Sequence, residues 1–328
     1  MTRFLTLDDI IDTLHKFKQR GVGFLLSKLN IHGIKRTEET FNQLNYDSAD
    51  WWIIPKIKER WNLLITGNKD LNYKKYLVDN YLPNTNGLRL ISLGSGSSHH
   101  EIELAKYSNF DEIICVDIAK DKLLEAEARA NKLNLKNIKF VCEDIYNYTI
   151  PKEYFDIFFF HSSLHHVDNI EMFVEKTIKS SLKTNGLLVI NEYVGATRLQ
   201  FPKHQIAKIN EALKLIPKEY KIRYKSNLLK NRYYGSGILR MILADPSECV
   251  DSASILPSIY LNFDTIIEKS YGGNILMNVL KDISHHFINL DTKKNKILEE
   301  LFSFEDEYLV NNSSDFIFGV YRKPPVNS

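Results

Sequence analysis

One stretch decides the fold, Leu88-Arg89-Leu90-Ile91-Ser92-Leu93-Gly94-Ser95-Gly96-Ser97-Ser98. Its apolar first half predicts a buried strand, and the pattern over Glu101–Tyr107 predicts a helix directly after it. Gly94 and Gly96 permit a sharp turn and let a ligand approach the main chain closely. The start of the helix offers N–H groups without intrahelical partners to polar ligand atoms. The stretch therefore predicts a strand–turn–helix unit that binds a ligand at its turn.

Two acidic residues follow the next two predicted strands. Asp117 ends the strand Glu112–Val116, and Asp144 follows the strand Ile138–Val141. Carboxylates accept strong hydrogen bonds from vicinal hydroxyls and from exocyclic amines. Each acid alone also has a structural explanation, since Asp117 is suited to cap the next helix and Asp144 is suited to a turn. Their joint spacing behind the glycine turn favours binding of a nucleoside.

These segments resemble the class I S-adenosylmethionine-dependent methyltransferases. The matching pieces are Ile91–Ser98, Cys115–Ile118, Val141–Ile145, Phe155–Val167 and Gly186–Gly195. The resemblance implies S-adenosylmethionine as the cofactor. It covers the middle third of the chain well and extends more loosely over Ile259–Lys323.

The resemblance also implies a set of cofactor-binding residues. The glycine turn passes under the methionine part, Asp117 with Ile118 holds the ribose, and Asp144 with Ile145 contacts the adenine. His161 lines the methionine side, and Arg60 reaches the cofactor carboxylate if its helix folds over the turn. The turn residues in this set are Gly94, Ser95 and Gly96.

The chain departs from the family pattern at two positions. Ser92 stands where the family often has an acid, and Ser98 stands where a third glycine is common. Ser98 and Glu101 fit a capping box, in which the serine caps the helix and the glutamate reaches back to it. A dehydrogenase is disfavoured because His99, at the sixth place of the glycine fingerprint, is too large for close helix–strand packing.

The acceptor is expected beyond the carboxyl ends of the strands, as in other open α/β sheets. His165 and His166 follow the fourth strand and are candidate general bases, because imidazole titrates near neutral pH. The alternative is that this pair caps the next helix or packs beneath the cofactor. Glu192, which closes the fifth strand, is either the carboxylate that orients or deprotonates the acceptor or a structural ion-pair partner. Tyr193 is expected to contact the substrate or to form a wall of its pocket.

An insertion after the fifth strand is strongly basic. Residues Arg198–Arg240 contain eleven Lys and Arg residues in total but only two Asp and Glu residues. Their net charge is +9, whereas that of the whole chain is +2. We expect either a lid for an anionic acceptor, such as a phosphorylated or nucleotide-linked sugar, or a solvated lysine-rich surface. Within the insertion, Arg232 with Tyr233 is the strongest candidate for binding a phosphate group, because guanidinium binds phosphate in bidentate fashion.

Composition limits the class of protein. With 328 residues, of which 44% are hydrophobic, the chain can bury a large core, and its small net charge gives no global attraction to nucleic acid or membrane. Three cysteines without a C-x-x-C spacing indicate reduced thiols in the cytoplasm and no metal site. The first residues do not form a signal peptide, and no apolar run reaches the length of a membrane span.

The predicted fold is α/β, a doubly wound and mostly parallel seven-stranded sheet with an antiparallel edge strand. We expect a helical cap over residues 1–87, a cofactor-binding core over 88–195, a substrate lid over 196–258 and completion of the sheet over 259–328. The predicted function is methyl transfer to a small-molecule acceptor, with a hydroxyl oxygen favoured. The alternatives are a non-catalytic binding protein on this fold and a nucleic-acid methyltransferase. The oligomeric state is open.

Overall fold

The computed structural model describes residues 2–11, 13 and 50–325. Most of the predicted helix Leu5–Lys18 lies outside these residues, although residues 7–11 are helical. A 3₁₀ turn at Trp51–Ile53 leads into helix α1, Pro55–Thr66, and helix α2, Tyr73–Tyr81, follows. Proline stands at the first position of α1, where a missing N–H costs no hydrogen bond.

Seven strands form one sheet in the order β3-β2-β1-β4-β5-β7-β6. Strands β1 to β5 pair in parallel, and β7 is antiparallel to both of its neighbours. The strands are β1 Leu88–Leu93, β2 Phe110–Asp117, β3 Ile138–Cys142, β4 Phe155–His161, β5 Leu182–Tyr193, β6 Asp264–Gly272 and β7 Phe316–Arg322. The predicted fold class is confirmed, and the reversed strand lies second from the edge, between β5 and the edge strand β6.

Helices cover both faces of the sheet. Alternate residues of β4 serve the two faces, since Ile157 and Phe159 pack in one core and Phe158 and Phe160 in the other. Helix α3, His99–Leu104, and helix α4, Lys120–Lys132, cover the first face. The second face is covered by α5, which begins at Ile170–Met172 and continues as the π-helix Phe173–Lys179. The sequence pattern predicts one regular helix over Ile170–Leu182, but Leu182 instead begins β5.

The segment between β5 and β6 contains three helices but no strand of the sheet, as predicted. They are α6 Lys203–Lys214, α7 Ile238–Ala244 and α8 Ile255–Asn262. Buried residues of α6 share one hydrophobic cluster with Trp51, Ile54 and Ile57 near the N-terminus and with residues of the last helices. The described N-terminal helices, the insertion and the C-terminal part therefore fold around a common core.

The pattern of apolar residues over Asn274–Ile288 predicts one helix, and this prediction is wrong. Helix α9 covers only Leu276–Leu280, a 3₁₀ turn covers Ser284–Phe287, and Asp282 between them has a φ of 68°, which a right-handed helix excludes. Helix α10, Thr292–Leu309, then leads to β7. Among the described residues, no helix combines the length and apolarity that crossing a bilayer requires.

Candidate active site

The glycine turn lies at the carboxyl end of β1, where β2 and β4 flank it. Gly94 and Gly96 have φ values of 71° and 54°, in the left-handed region that favours glycine. The Gly94 and Ser95 N–H groups both donate to Val116 O, at 2.8 and 3.3 Å. A Cβ at Gly94 would lie 3.1 Å from Ser163 Cβ, whereas a Cβ at Gly96 would meet no atom within 4 Å. The turn is therefore packed against the loop after β4 at its first glycine and open at its second.

The predicted capping box at Ser98 and Glu101 is wrong. Ser98 has a φ of 49°, and its hydroxyl donates to Ser95 Oγ at 3.0 Å rather than capping the helix. The Glu101 carboxylate turns inward, and its Oε1 accepts from Ser92 Oγ at 2.7 Å. The carboxyl group that the family pattern places at position 92 is thus supplied from α3. Burial raises the pKa of Glu101 to about 7.

Asp117 lies directly under the second glycine. Its Oδ2 accepts from Gly96 N–H and its Oδ1 from Ala119 N–H, both at 2.7 Å. Burial raises the pKa of this carboxyl group, which is 6% exposed, and the backbone donors oppose that rise. Asp117 therefore supports the start of α4 and borders the turn, and its role toward a nucleoside stays a prediction.

The predicted adenine-side residues follow β3. Asp144 Oδ1 accepts from Tyr146 N–H at 3.0 Å in a turn, and Asp144 O accepts from Asn147 N–H at 2.9 Å. Ile145 is half-buried against the core behind β4, as is Ile118 at the end of β2. The structure therefore brings the predicted turn, ribose and adenine residues to the ends of three adjacent strands.

His161, at the end of β4, lies in an aromatic stack. Its Nδ1 is 2.8 Å from Tyr73 Oη, and its ring centroid is 3.5 Å from that of His100. Lys74 Nζ lies 3.1 Å from His100 Nδ1 and pairs with Glu103 at 2.7 Å. Burial lowers the pKa of His161 to about 3, so this imidazole is neutral at physiological pH. Helix α2 thereby reaches the strand end that the sequence assigned to the cofactor.

Glu192 fixes the loop after β4. It is fully buried, and its Oε2 accepts from Ser163 N–H and Leu164 N–H, both at 2.8 Å. Its Oε1 accepts from Tyr193 N–H at 2.9 Å and bonds to His165 Nδ1. Burial alone would lower the pKa of His165, but the Glu192 carboxylate raises it to about 9. Burial likewise favours the neutral form of Glu192, but His165 and the backbone donors hold its pKa below the usual range.

His166 contacts the end of the insertion. Its Nδ1 lies 3.1 Å from Ser247 Oγ, and Ser247 Oγ donates to Asp245 Oδ1 at 2.7 Å. Burial lowers the pKa of His166, so it is neutral near pH 7. His165 Nε2 and His166 Nε2 each lie 3.9 Å from a Glu248 oxygen. Although no metal site was predicted, potential ligand atoms of these two histidines and Glu248 lie within 4.8 Å of one another.

The proposed role of Arg60 in binding the cofactor carboxylate has no support in the geometry. Its guanidinium contacts Asp306 of α10 at 2.6 Å and lies 3.7 Å from Glu305. The ring of Phe302 lies 4.8 Å below it. The guanidinium of Arg60 is therefore bound to the C-terminal part of the chain, against which its helix packs.

The predicted substrate residues do not share one surface. Tyr193 is buried, and its hydroxyl donates to Ala196 O at 3.0 Å. Tyr233 is buried in the same hydrophobic cluster. Arg232 is exposed and lies 5.2 Å from the centroid of the Tyr234 ring. Tyr193 and Tyr233 therefore act first as packing residues, and Arg232 separates from them because successive residues of this loop face opposite sides.

Part of the positive charge of the insertion is structural. Arg223 is 4% exposed and pairs with Asp282 and with Asp8, the latter at 3.7 Å. Lys230 is buried, and its Nζ donates to Asn278 O at 2.6 Å. These two cations link the insertion to other parts of the chain, so neither belongs to a solvated basic surface.

Residues 84–245 match the model of a family described as a methyltransferase domain. The matched residues contain the glycine turn, Asp117, Asp144 and the loop after β4. The chain therefore contains a methyltransferase domain, for which S-adenosylmethionine is the cofactor. No curated protein matches it.

Several solved structures are similar in fold at low sequence identity. A putative sarcosine dimethylglycine methyltransferase from Galdieria sulphuraria is 14% identical, with a TM-score of 0.44 over 77% of this chain and 85% of its own. Geranyl diphosphate methyltransferase, in complex with S-adenosylmethionine, is 12% identical, with a TM-score of 0.47 over 76% and 84%. Phosphoethanolamine N-methyltransferase 2 of Haemonchus contortus is 15% identical, with a TM-score of 0.44 over 81% and 56%.

The residues around the turn fit S-adenosylmethionine. Gly96 leaves open space in front of a polar backbone, and the Asp117 carboxylate borders it. Two buried polar atoms near the turn, Glu101 Oε2 and Ser163 Oγ, have no hydrogen-bond partner within the described chain. Such atoms are costly unless a ligand or water satisfies them. A polar ligand at the turn accounts for both.

Four residues of this region were missed by the sequence analysis. Tyr73 and His100 lie too far apart in sequence to be linked by spacing, and Glu101 was assigned to a cap. Glu248 had one local signal, since it follows Asp245 by three residues in a loop after a short helix. That spacing alone says nothing about the histidines, which lie about eighty residues earlier.

Proposed function

We propose that the protein methylates a hydroxyl oxygen of a small acceptor that is anionic or sugar-like. The observation that carries the proposal is the position of His165, His166 and Glu248, hereafter the His–His–Glu cluster. Its two histidines follow the carboxyl end of β4, and Glu248 reaches them from the loop after α7. The loop after β4 also places Ser163 against Gly94, so the polar cluster and the cofactor turn are neighbours.

The residues that would hold the cofactor are those at the strand ends. The Gly94–Gly96 turn and Asp117 would face its methionine and ribose parts, and Asp144 with Ile145 its adenine. When bound, S-adenosylmethionine supplies a sulfonium methyl group that passes to the acceptor oxygen while the electron pair of the broken carbon–sulfur bond stays on sulfur.

The chain itself must align the acceptor and withdraw the hydroxyl proton. Alignment of the reacting atoms is worth roughly 7–11 kcal/mol. A hydroxyl is weakly acidic, so proton withdrawal toward the His–His–Glu cluster adds about 10²–10⁴-fold. His166, which is neutral near pH 7, is thus the candidate proton acceptor, and His165, whose pKa Glu192 raises to about 9, lies beside it as a protonated imidazole. Glu192 is fully buried and surrounded by donors of the chain, so we assign it a positioning role.

The charge of the insertion supports an anionic acceptor. The excess of Lys and Arg over residues Arg198–Arg240 gives this segment a net charge of +9, and positive clefts raise the local concentration of anions. Arg232 and Lys225 are exposed basic residues of this segment. A free, reduced state of all three cysteines, each within the described residues, agrees with a cytoplasmic setting.

Calorimetric titration and a product assay test the proposal. We expect S-adenosylmethionine to bind, NAD not to bind, and demethylated cofactor to accumulate with hydroxyl acceptors that carry phosphate. The Michaelis constant for such acceptors should rise with salt, because screening weakens the attraction. Cofactor binding without turnover on any acceptor would favour the binding-protein alternative. Turnover confined to RNA or DNA would favour the nucleic-acid methyltransferase.

A mutation at His166 separates catalysis from binding. His166→Ala should lower kcat by about 10²-fold or more while the affinity for S-adenosylmethionine stays within twofold, in the range expected for loss of a group that withdraws a proton. His204→Ala is the matched control, since His204 is exposed on α6. Equal turnover by His166→Ala and the parent would remove His166 from the catalytic residues.

A further inference from the structure

We propose that the His–His–Glu cluster binds a divalent transition-metal cation, with Zn²⁺ as the fitting ion. Two imidazoles and one carboxylate form a recurrent ligand set for zinc, with a fourth position open for water or substrate. Imidazole ligands favour Zn²⁺ over Mg²⁺ or Ca²⁺, which prefer oxygen. The three ligand atoms lie within 4.8 Å of one another. Around zinc they would be roughly 3.4 Å apart, so small side-chain shifts close the site.

The hydrogen bonds of the two rings orient their Nε2 atoms as ligands. His165 Nδ1 bonds to Glu192, and a carboxylate accepts, so Nδ1 carries a proton, and a cation at Nε2 would replace the second proton of the imidazolium. Ser247 Oγ donates to Asp245 and therefore accepts from His166 Nδ1. Both Nε2 atoms consequently present their lone pairs on the side of Glu248, 3.9 Å from its oxygens.

The partners of the ligands are those of an organised metal site. Metal-binding histidines commonly donate their second N–H to a carboxylate or another acceptor, which fixes the ring and raises its basicity. Glu192 is the acceptor for the second N–H of His165, and Ser247, which is bonded to Asp245, is the acceptor for that of His166. An ordinary ion pair between histidine and glutamate does not require acceptors such as Glu192 and Ser247. The presence of both acceptors therefore favours a metal site.

The third ligand is held by the backbone around it. Arg198 Nη1 donates to Glu248 O at 3.1 Å, and Arg198 N–H donates to Cys249 O at 2.7 Å. The side chains of His165, His166 and Glu248 are 10%, 17% and 36% exposed. The cluster is therefore walled by the core on the histidine side and reachable from solvent on the Glu248 side, where an acceptor can take the open position.

The catalytic role of the cation rests on the proposed function. An acceptor hydroxyl bound at the open position has a lowered pKa, because the cation stabilises the alkoxide. With the cation bound, His166 acts as a ligand instead of the proton acceptor, and the hydroxyl proton passes to solvent because both Nε2 atoms are occupied. The alkoxide oxygen forms the bond to the methyl carbon, and the electron pair of the broken carbon–sulfur bond stays on sulfur. Binding of the cation itself does not depend on this step.

Metal binding is tested on untagged, chelator-treated protein with Zn²⁺ by equilibrium dialysis and with Co²⁺ by visible absorption. We expect one ion per chain and a Co²⁺ spectrum of low-coordinate type. Glu248→Gln and His165→Ala should each weaken Zn²⁺ binding at least about 10²-fold, and His204→Ala should not change it. Glu192→Gln keeps all three ligands and should weaken binding about 10–100-fold while the Co²⁺ spectrum persists at saturation.

Calorimetry with S-adenosylmethionine on the same variants separates this inference from the proposed function. Glu248→Gln should bind the cofactor as the parent does, which also shows that this variant is folded. Absence of a stoichiometric ion in the parent, or equal Zn²⁺ affinity in Glu248→Gln, would overturn the metal site whatever the methyl-transfer assay shows. An ion that binds as expected to a protein without methyl-transfer activity would leave the site standing and overturn the proposed function.

Discussion

Buried carboxylates in this protein differ in charge according to the donors around them. Glu192 accepts three backbone N–H groups and an imidazole, and its pKa lies below the usual range despite complete burial. Glu101 accepts from the Ser92 hydroxyl on one oxygen, its other oxygen has no hydrogen-bond partner among the described residues, and burial raises its pKa to about 7. The number of donors, rather than depth, decides which form each carboxyl group takes.

The raised pKa of Glu101 predicts a pH-dependent stability. Between about pH 4.5 and pH 7 the native state keeps a proton that the unfolded state has lost, so the free energy of unfolding falls as pH rises through this window. The contribution is at most about 3 kcal/mol. Glu101→Gln removes it and should flatten the dependence in urea unfolding at a series of pH values. Glu127→Gln, on an exposed position of α4, should follow the parent, and identical slopes for Glu101→Gln would contradict the prediction.

Asp117 is the residue on which cofactor affinity should depend most. Asp117→Ala should weaken S-adenosylmethionine binding by about 10²-fold, since hydrogen bonds from the ribose to a charged acceptor are lost. The Gly96 and Ala119 N–H groups lose their partner too, so a stability loss of about 1–3 kcal/mol accompanies it. Calorimetry measures the first effect and circular dichroism confirms the fold. Asp121→Ala removes a nearby exposed carboxylate and serves as control; unchanged affinity in Asp117→Ala would exclude the ribose assignment.

At this scale the sequence predicts residue type and strand position well but partners poorly. Gly94, Gly96 and Asp117 lie where their spacing placed them, because a turn and a strand end are local features. Glu101 and Arg60 were assigned wrong partners. Their partners come from residues that no local pattern connects to them, Ser92 across a turn and Asp306 across the whole chain.

Among the elements, the loop after β4 is the one on which both candidate sites depend. Residues 162–166 have no regular strand or long helix, and Glu192 at the end of β5 supplies acceptors for Ser163 N–H, Leu164 N–H and His165. The strand therefore fixes the loop through one side chain.

Glu192→Gln should lower the free energy of unfolding by about 3 kcal/mol, because it removes one partner of a buried, hydrogen-bonded ion pair. Chemical denaturation of the variant and the parent measures the difference. The control is Glu171→Gln at an exposed position of α5, for which a change within about 0.5 kcal/mol is expected. Equal stability of Glu192→Gln and the parent would show that the loop is held by other contacts.

Strands were predicted more accurately than helices, for a physical reason. Buried strands are apolar runs between turn residues, and the runs Leu88–Leu93 and Phe316–Arg322 predict β1 and β7 with the bounds that the structure has. Helical periodicity over Asn274–Ile288 does not report the left-handed backbone of Asp282. The π-helix Phe173–Lys179 cannot be predicted from the sequence either, because its side chains are those of an ordinary amphipathic helix.

Over the whole molecule, Arg223 joins three distant segments. It comes from the insertion and pairs with Asp8 near the N-terminus and with Asp282 before α10. Arg223→Ala should lower the free energy of unfolding by about 3 kcal/mol, because buried Asp8 and half-buried Asp282 lose this cation.

Lys208→Ala is the matched control for this prediction. Its partner Glu211 is exposed on the same helix, and such pairs contribute about 0–1 kcal/mol. Differential scanning calorimetry should show one transition for the parent and a clearly lower Tm for Arg223→Ala only. A shift no larger than that of Lys208→Ala would mean that the three segments are joined by apolar packing alone.

Glu192 has one consequence for any redesign of this enzyme. Its side chain accepts from Ser163 N–H, next to Gly94, and also bonds to the imidazole of His165. The cofactor site and the acceptor site accordingly depend on the same side chain, and a substitution at residue 192 would disturb both. Directed evolution toward new recipients should leave position 192 untouched and draw its diversity from the segment between β5 and β6.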